Sequence, residues 1–167
     1  MIFIKFLNLS LICFICFYLG NIKAKSYENR VNDLSKFLSG LLMFKTKIEF
    51  TYEPINSIFS DVSKVIYDNK DNIFLQTVQR KDELYKSWYD SIDNIKNDFN
   101  KEDKDIIKMF GKMLGKTDIK GQISQVELTL KLIEKQIEKA EYDKNKNSKL
   151  YKTMGIISGM AICIILV

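Results

Sequence analysis

The residues that most often do chemistry are scarce in this chain, or stand where they cannot do it. There is no histidine, which removes the commonest general base and metal ligand near neutral pH. The three cysteines, Cys13, Cys16 and Cys163, lie in the two apolar ends and none in the charged middle. That placement excludes a disulfide framework and a structural zinc site in the soluble part. Cys13 and Cys16 have C-x-x-C spacing, but the run around them holds no histidine and no acid. A small apolar filler is the better reading. Ile12 and Ile15 precede them, where a lipid-attachment cysteine wants a small neighbour. Carboxylates are numerous, yet they fall on the solvent positions of amphipathic helices, and nothing singles out a catalytic pair. The sequence offers no catalytic residue, no metal ligand set and no cofactor site, and predicts a protein that is not an enzyme.

One segment imitates a nucleotide site. Gly111-Lys112-Met113-Leu114-Gly115-Lys116-Thr117 ends in the Gly-Lys-Thr of a phosphate-binding loop. Such a loop needs four residues between its glycines and a strand before it; here three intervene and a helical pattern precedes. A helix C-terminus presents carbonyls, which repel phosphate, so nucleotide binding is rejected. These residues suit a junction between two helices instead. Phe110 and Leu114 belong to an apolar face, and Gly115 fits the left-handed position that ends a helix. Asp118 fits the cap that starts the next. Gly111, Gly115 and Asp118 are explained by turn chemistry alone. Lys112, Lys116 and Lys120 beside them form a candidate docking surface.

The elements that must position this junction are helices. The 167 residues are enough for one domain. Glycine is rare and proline occurs once, at Pro54, whereas sheet-rich folds need many turns built from those residues. Residues 21–152 hold all 21 acids and all but Lys5 of the 26 basic residues. The net charge is +5, but acids interleave with the lysines throughout and no long block of like charge occurs. Nucleic acid is not an expected partner.

Both ends suit a bilayer. Residues 2–20 are apolar apart from Lys5, Asn8 and Ser10, close to the ~20 residues that span a hydrocarbon core. Tyr18 and Ile22 stand where signal cleavage wants small residues, which predicts an uncleaved anchor. Residues 154–167 carry no charged side chain. That run is short for a span, but reaches about 18 residues if it starts at Leu150 and Lys152 snorkels to the interface. Gly155 and Gly159 within it form a G-x-x-x-G, which lets another helix approach closely. Lys23, Lys25, Arg30 and Lys36 follow the first run, and Lys144, Lys146, Lys149 and Lys152 precede the second. The positive-inside rule places the part between them in the cytosol. The expected division is a transmembrane anchor over 1–22, a cytosolic bundle over 23–150 and a transmembrane segment over 151–167.

Between the anchors, apolar periodicity predicts an all-α bundle of about five to six helices. Tyr27, Val31, Leu34, Leu38, Leu41 and Ile48 form a stripe that Phe37, Leu42 and Phe44 widen. The first helix ends before Pro54, which fits the first turn of the second. Ile55, Ile58, Phe59, Val62 and Ile66 line that second helix, and residues 68–72 form a polar break. Ile73, Phe74, Leu75 and Val78 mark a third helix; Leu84, Tyr85, Trp88, Ile92 and Ile95 mark a fourth. Asn100 caps a fifth, with Ile106, Ile107, Met109, Phe110, Met113 and Leu114 inward. Ile119, Ile123, Val126, Leu130, Ile133, Ile137 and Ala140 mark the last and longest, which fades into the polar stretch 143–149.

The order Phe110-Gly111, Leu114-Gly115, Asp118 and Gln122 resembles the F-G-x-x-L-G-x-x-D pattern followed by Gln of the stage III sporulation protein AB family of endospore-forming bacteria. The closing segment from Lys149 through Gly155 and Gly159 is similar to that family's ending. Glu49, Tyr52, Pro54 and Ile55 resemble its E-x-x-Y…P-L element, and Trp88 its single tryptophan. The resemblance spans essentially the whole chain. It implies a bundle like the cytoplasmic domains of the inner-membrane platform protein of type II secretion and type IV pilus systems. It also implies a scaffold role in the complex joining mother cell and forespore, in the mother-cell membrane that faces the forespore. The implied partners are the other stage III A proteins, including the AA component, a secretion-type ATPase. A homo-oligomer is compatible with the sequence. A holin-like or pore-forming protein is the alternative, set against by the large soluble middle.

Overall fold

The structure, a computed structural model, describes residues 2–51, 53–66, 72–80 and 83–166, with side chains from residue 9 onward except 113, 165 and 166. Tyr52, most of the expected polar break (68–71) and the side chains of Lys5, Asn8 and Met113 lie outside the described residues. Six helices follow in order: α1 Ile2–Phe50, α2 Ile55–Ile66, α3 Ile73–Gln79, α4 Leu84–Asn94, α5 Lys101–Met113 and α6 Ile119–Leu166. No strand occurs among the described residues. The protein is all-α, as its periodicity predicts. Contacts divide the chain into two compact units, Met1–Val31 with Lys139–Val167, and Asn32–Glu138.

In the unit Asn32–Glu138, six aromatic side chains from five helices make the core. Phe37 and Phe44 of α1, Phe59 of α2, Phe74 of α3, Trp88 of α4 and Phe110 of α5 are all fully buried. Ring centroids lie 5.2 Å apart for Phe59–Phe74, 5.3 Å for Phe59–Trp88 and 5.4 Å for Trp88–Phe110. These rings decide which face of α1 turns inward. Leu34, Phe37, Leu41, Phe44 and Ile48 are buried, while Leu38 is half-buried and Leu42 is 49% exposed. The inner stripe is therefore rotated from the expected one, because buried aromatics carry the largest apolar area. Gly40 lies on this face, where an added Cβ would come within 2.8 Å of the Phe74 ring.

Short-range chemistry sets the helix ends. The Pro54 carbonyl accepts from the Ser57 and Ile58 amides, so Pro54 precedes α2 rather than filling its first turn. Asn72 Oδ1 accepts from the Leu75 amide and caps α3. Asn100 and Asp103 exchange side-chain-to-backbone hydrogen bonds of 2.8 and 2.9 Å, a capping box that opens α5. Ile119, expected inward, is 38% exposed at the start of α6; Val126, Leu130 and Ile133 carry the buried face.

In the unit Met1–Val31 with Lys139–Val167, the two helical segments run antiparallel. Cys13 faces Cys163, Gly20 faces Gly155, and Arg30 pairs with Asp143 at 3.2 Å. Tyr27 stacks on Tyr151 with centroids 5.8 Å apart. Phe14, Phe17, Tyr18, Leu19 and Ile22 are exposed, as are Ile156, Ile157 and Met160. Among the described residues one helix, spanning Leu9–Phe50, is long and apolar enough to cross a membrane.

Candidate interaction surface

The α5–α6 junction is built on Trp88. Its indole Nε1 donates to the Ile107 carbonyl at 2.8 Å, which fixes the ring against α5. The ring then lies over Gly111, where a Cβ would sit 2.1 Å from Trp88 Cδ1. Phe110 packs edge-on against Phe44, centroids 5.7 Å apart. Leu114 follows as the C-cap, 6% exposed. Gly115 has φ +71°, and a Cβ there would meet only Ile55 Cδ1 at 3.7 Å. Gly111 is thus glycine for space and Gly115 for backbone conformation.

Asp118 Oδ1 accepts from the Gly121 amide at 3.0 Å and caps α6. Gln122 Nε2 donates to the Thr117 carbonyl at 3.0 Å. Its Oε1 and Thr117 Oγ1 are buried without partners among the described residues. Phe44, Phe110, Leu114, Gln122 and Gln125 line a crease with no room for even a water molecule, far from a small-molecule pocket. It is a packing seam.

The three candidate docking lysines separate. Lys112 is exposed at the end of α5, with no carboxylate at ion-pair distance among the described residues. Lys116 is exposed and places its Nζ 5.1 Å from the centroid of the Tyr85 ring. Lys120 is exposed in the first turn of α6 and joins neither. The surface gains residues that the sequence had not assigned to it, Tyr85 being expected only in the apolar stripe of α4. Tyr85 and Tyr89 lie 4.5 Å apart, and Lys108 Nζ stands 5.5 Å over Tyr89 while pairing with Asp93 at 2.7 Å. Hydrogen bonding to Tyr85, then burial, pushes the Tyr89 phenol up to about 12, and the charge of Asp105 adds to it. The only sequence signal was spacing: Tyr85 and Tyr89 are one helical turn apart, as are Lys108 and Lys112.

Gly155 and Gly159 meet the chain's own first helix. A Cβ at Gly155 would lie 2.9 Å from the Cys16 carbonyl and 3.3 Å from Gly20 Cα, and one at Gly159 3.4 Å from Cys13 Cα. Cys13, Cys16, Gly20 and Ala24 form the opposing row of small residues. The C-x-x-C motif is part of that seam, with Cys13 and Cys163 sulfurs 3.1 Å apart. No group of three His, Cys, Asp or Glu arranged to hold a metal occurs among the described residues.

Fold and surface together define an all-α bundle protein with an N-terminal helix able to enter a membrane and a junction of rings and cations in place of a pocket. The chain belongs to the stage III sporulation protein AB family, whose model matches residues 5–167. Membership gives it a role in sporulation. The chain is similar to stage III sporulation protein AB of Bacillus subtilis (strain 168), 22% identical over 149 residues, covering 86% of this chain and 87% of the relative. A solved structure of a stage III sporulation protein AB superposes with a TM-score of 0.62 at 18% identity, covering 71% of this chain and 98% of that one. At that identity the likeness is one of fold.

Proposed function

We propose that this protein is a non-enzymatic, membrane-anchored platform of the sporulation channel complex that joins mother cell and forespore. It would hold other stage III A proteins together and dock a secretion-type ATPase on its cytosolic side. The observation that carries this is α1. One unbroken helix, Ile2–Phe50, contains both the apolar N-terminal run and the buried stripe Leu34, Phe37, Leu41, Phe44 and Ile48. A scaffold needs that continuity between anchor and folded surface, and it need not do chemistry. The proposed division is an anchor over 1–22, a cytosolic bundle over 23–150 and a second membrane segment over 151–167. Lysines flank both apolar runs on the bundle side, which supports a mother-cell cytosolic placement. The test is affinity purification of the tagged full chain from sporulating cells in mild detergent. Recovery of the other stage III A proteins is expected. Recovery of none of them, with the chain intact and in the membrane fraction, overturns the reading.

A further inference from the structure

We propose, resting on the platform reading, that the face made by Tyr85, Tyr89, Lys112 and Lys116 docks a partner protein through a segment of patterned charge. That segment sets carboxylates against Lys112 and Lys116 and a cation against the exposed Asp105. The surface is graded along α4 and α5. At one end Lys108 is already neutralised by Asp93 at 2.7 Å, and Asp105 acts on the Tyr89 hydroxyl. At the other end Lys112 and Lys116 have no carboxylate partner among the described residues. Lys116 is held 5.1 Å over the Tyr85 ring, so its ammonium is partly pre-positioned and loses less side-chain freedom on binding. Tyrosines supply amphipathic contact area of the kind enriched at interfaces.

The same chemistry argues against two other occupants. Tyr85 already carries Lys116 at 5.1 Å and Tyr89 at 4.5 Å from its ring centroid, contacts that compete with the stacking of a base. Two cations neutralise few phosphates, and the exposed Asp105 repels a continuous run of them, whether of nucleic acid or of a lipid surface. A protein segment of alternating sign satisfies the three open charges, Lys112, Lys116 and Asp105, and fixes the register.

The test uses a carbodiimide, which joins an ammonium to a carboxylate only when the two are in direct contact. Membranes are prepared from sporulating cells whose only copy is the tagged full chain, cross-linked, and mapped by mass spectrometry. The expected result joins Lys112 or Lys116 to an Asp or Glu of another protein. Recovery of that protein without cross-linker should fall about tenfold or more in the Lys112→Glu, Lys116→Glu variant. Changing the mapped carboxylates to Lys should restore it. Lys112→Met with Lys116→Met keeps the side-chain stems and separates lost charge from lost folding. Partner recovery unchanged in that variant overturns the proposal, as do cross-links confined to this chain's own acids. So does a charge-dependent loss of bound nucleic acid or anionic vesicles in place of protein. If the unmodified chain recovers no stage III A protein at all, the platform reading fails; if it recovers them and the lysine variants do so equally, only this face fails.

Discussion

At the scale of single residues, Gly111 and Gly115 make opposite demands on a replacement. Gly115 sits at φ +71° with room beside it, so the cost of a side chain there is backbone strain, ~1–2 kcal/mol for an ordinary residue and more for a β-branched one. Gly115→Val should lower the melting temperature clearly, and Gly115→Asn, which tolerates the left-handed region, much less. At Gly111 the obstacle is the indole, 2.1 Å from the missing Cβ, so even Gly111→Ala should cost ~1–3 kcal/mol by overpacking. A double-mutant cycle with Trp88→Phe checks this: shrinking the ring should recover part of the loss at Gly111 and none at Gly115. Asp33 gives a prediction in pH. Burial raises its carboxyl above the ordinary value, and Asp98 adds to that, although the Asp98 amide donates to it at 3.1 Å. A raised folded-state value means the stabilising contribution is present at low pH and lost as pH rises through the folded value. Asp33→Asn keeps the acceptor and removes the charge, so it should melt higher than the parent at pH 7, with the gap closing toward pH 4.

At the scale of elements, helix ends and helix seams rest on different forces. The α5 capping box satisfies two orphan amides through Asn100 and Asp103, and Asn100→Ala should cost ~1 kcal/mol, read as a shift in the denaturant midpoint. The seam between the first and last helical segments depends on backbone proximity. Cys13 and Cys163 sulfurs stand 3.1 Å apart, so mild oxidation of membranes should cross-link them, visible as protection of two thiols from a maleimide mass tag. Gly155→Leu places bulk where a Cβ would already be 2.9 Å from the Cys16 carbonyl. That variant should lose the cross-link; equal cross-linking in both would show that the segments do not pair through this row.

At the scale of the whole molecule, the proposed cytosolic placement is checked with a Cys-free background carrying Lys64→Cys, an exposed site on α2. A membrane-impermeant reagent should fail to label it in intact cells, and labelling from outside would reverse the orientation. The helices and their approximate ends were legible in the sequence because their causes are local. Spacings of three and four, Pro54, Asn100 and Gly115 act within a turn or two of themselves. The lack of histidine and the apolar ends were legible for the same reason, being properties of composition. The face that α1 turns inward was not. Leu38 and Phe37 both fit helical stripes, and the choice fell to Phe37 because Phe74 and Trp88, distant in sequence, complete one aromatic cluster around it. Nor did the G-x-x-x-G name its partner, since close approach depends on a second row of small residues that happens to lie in the same chain. Likewise the lysines of the junction were visible, but that Lys116 rests on Tyr85 and Lys120 does not is a matter of how α4 packs on α5. Periodicity states that a helix has an inner face; only packing between helices far apart in sequence decides what that face meets.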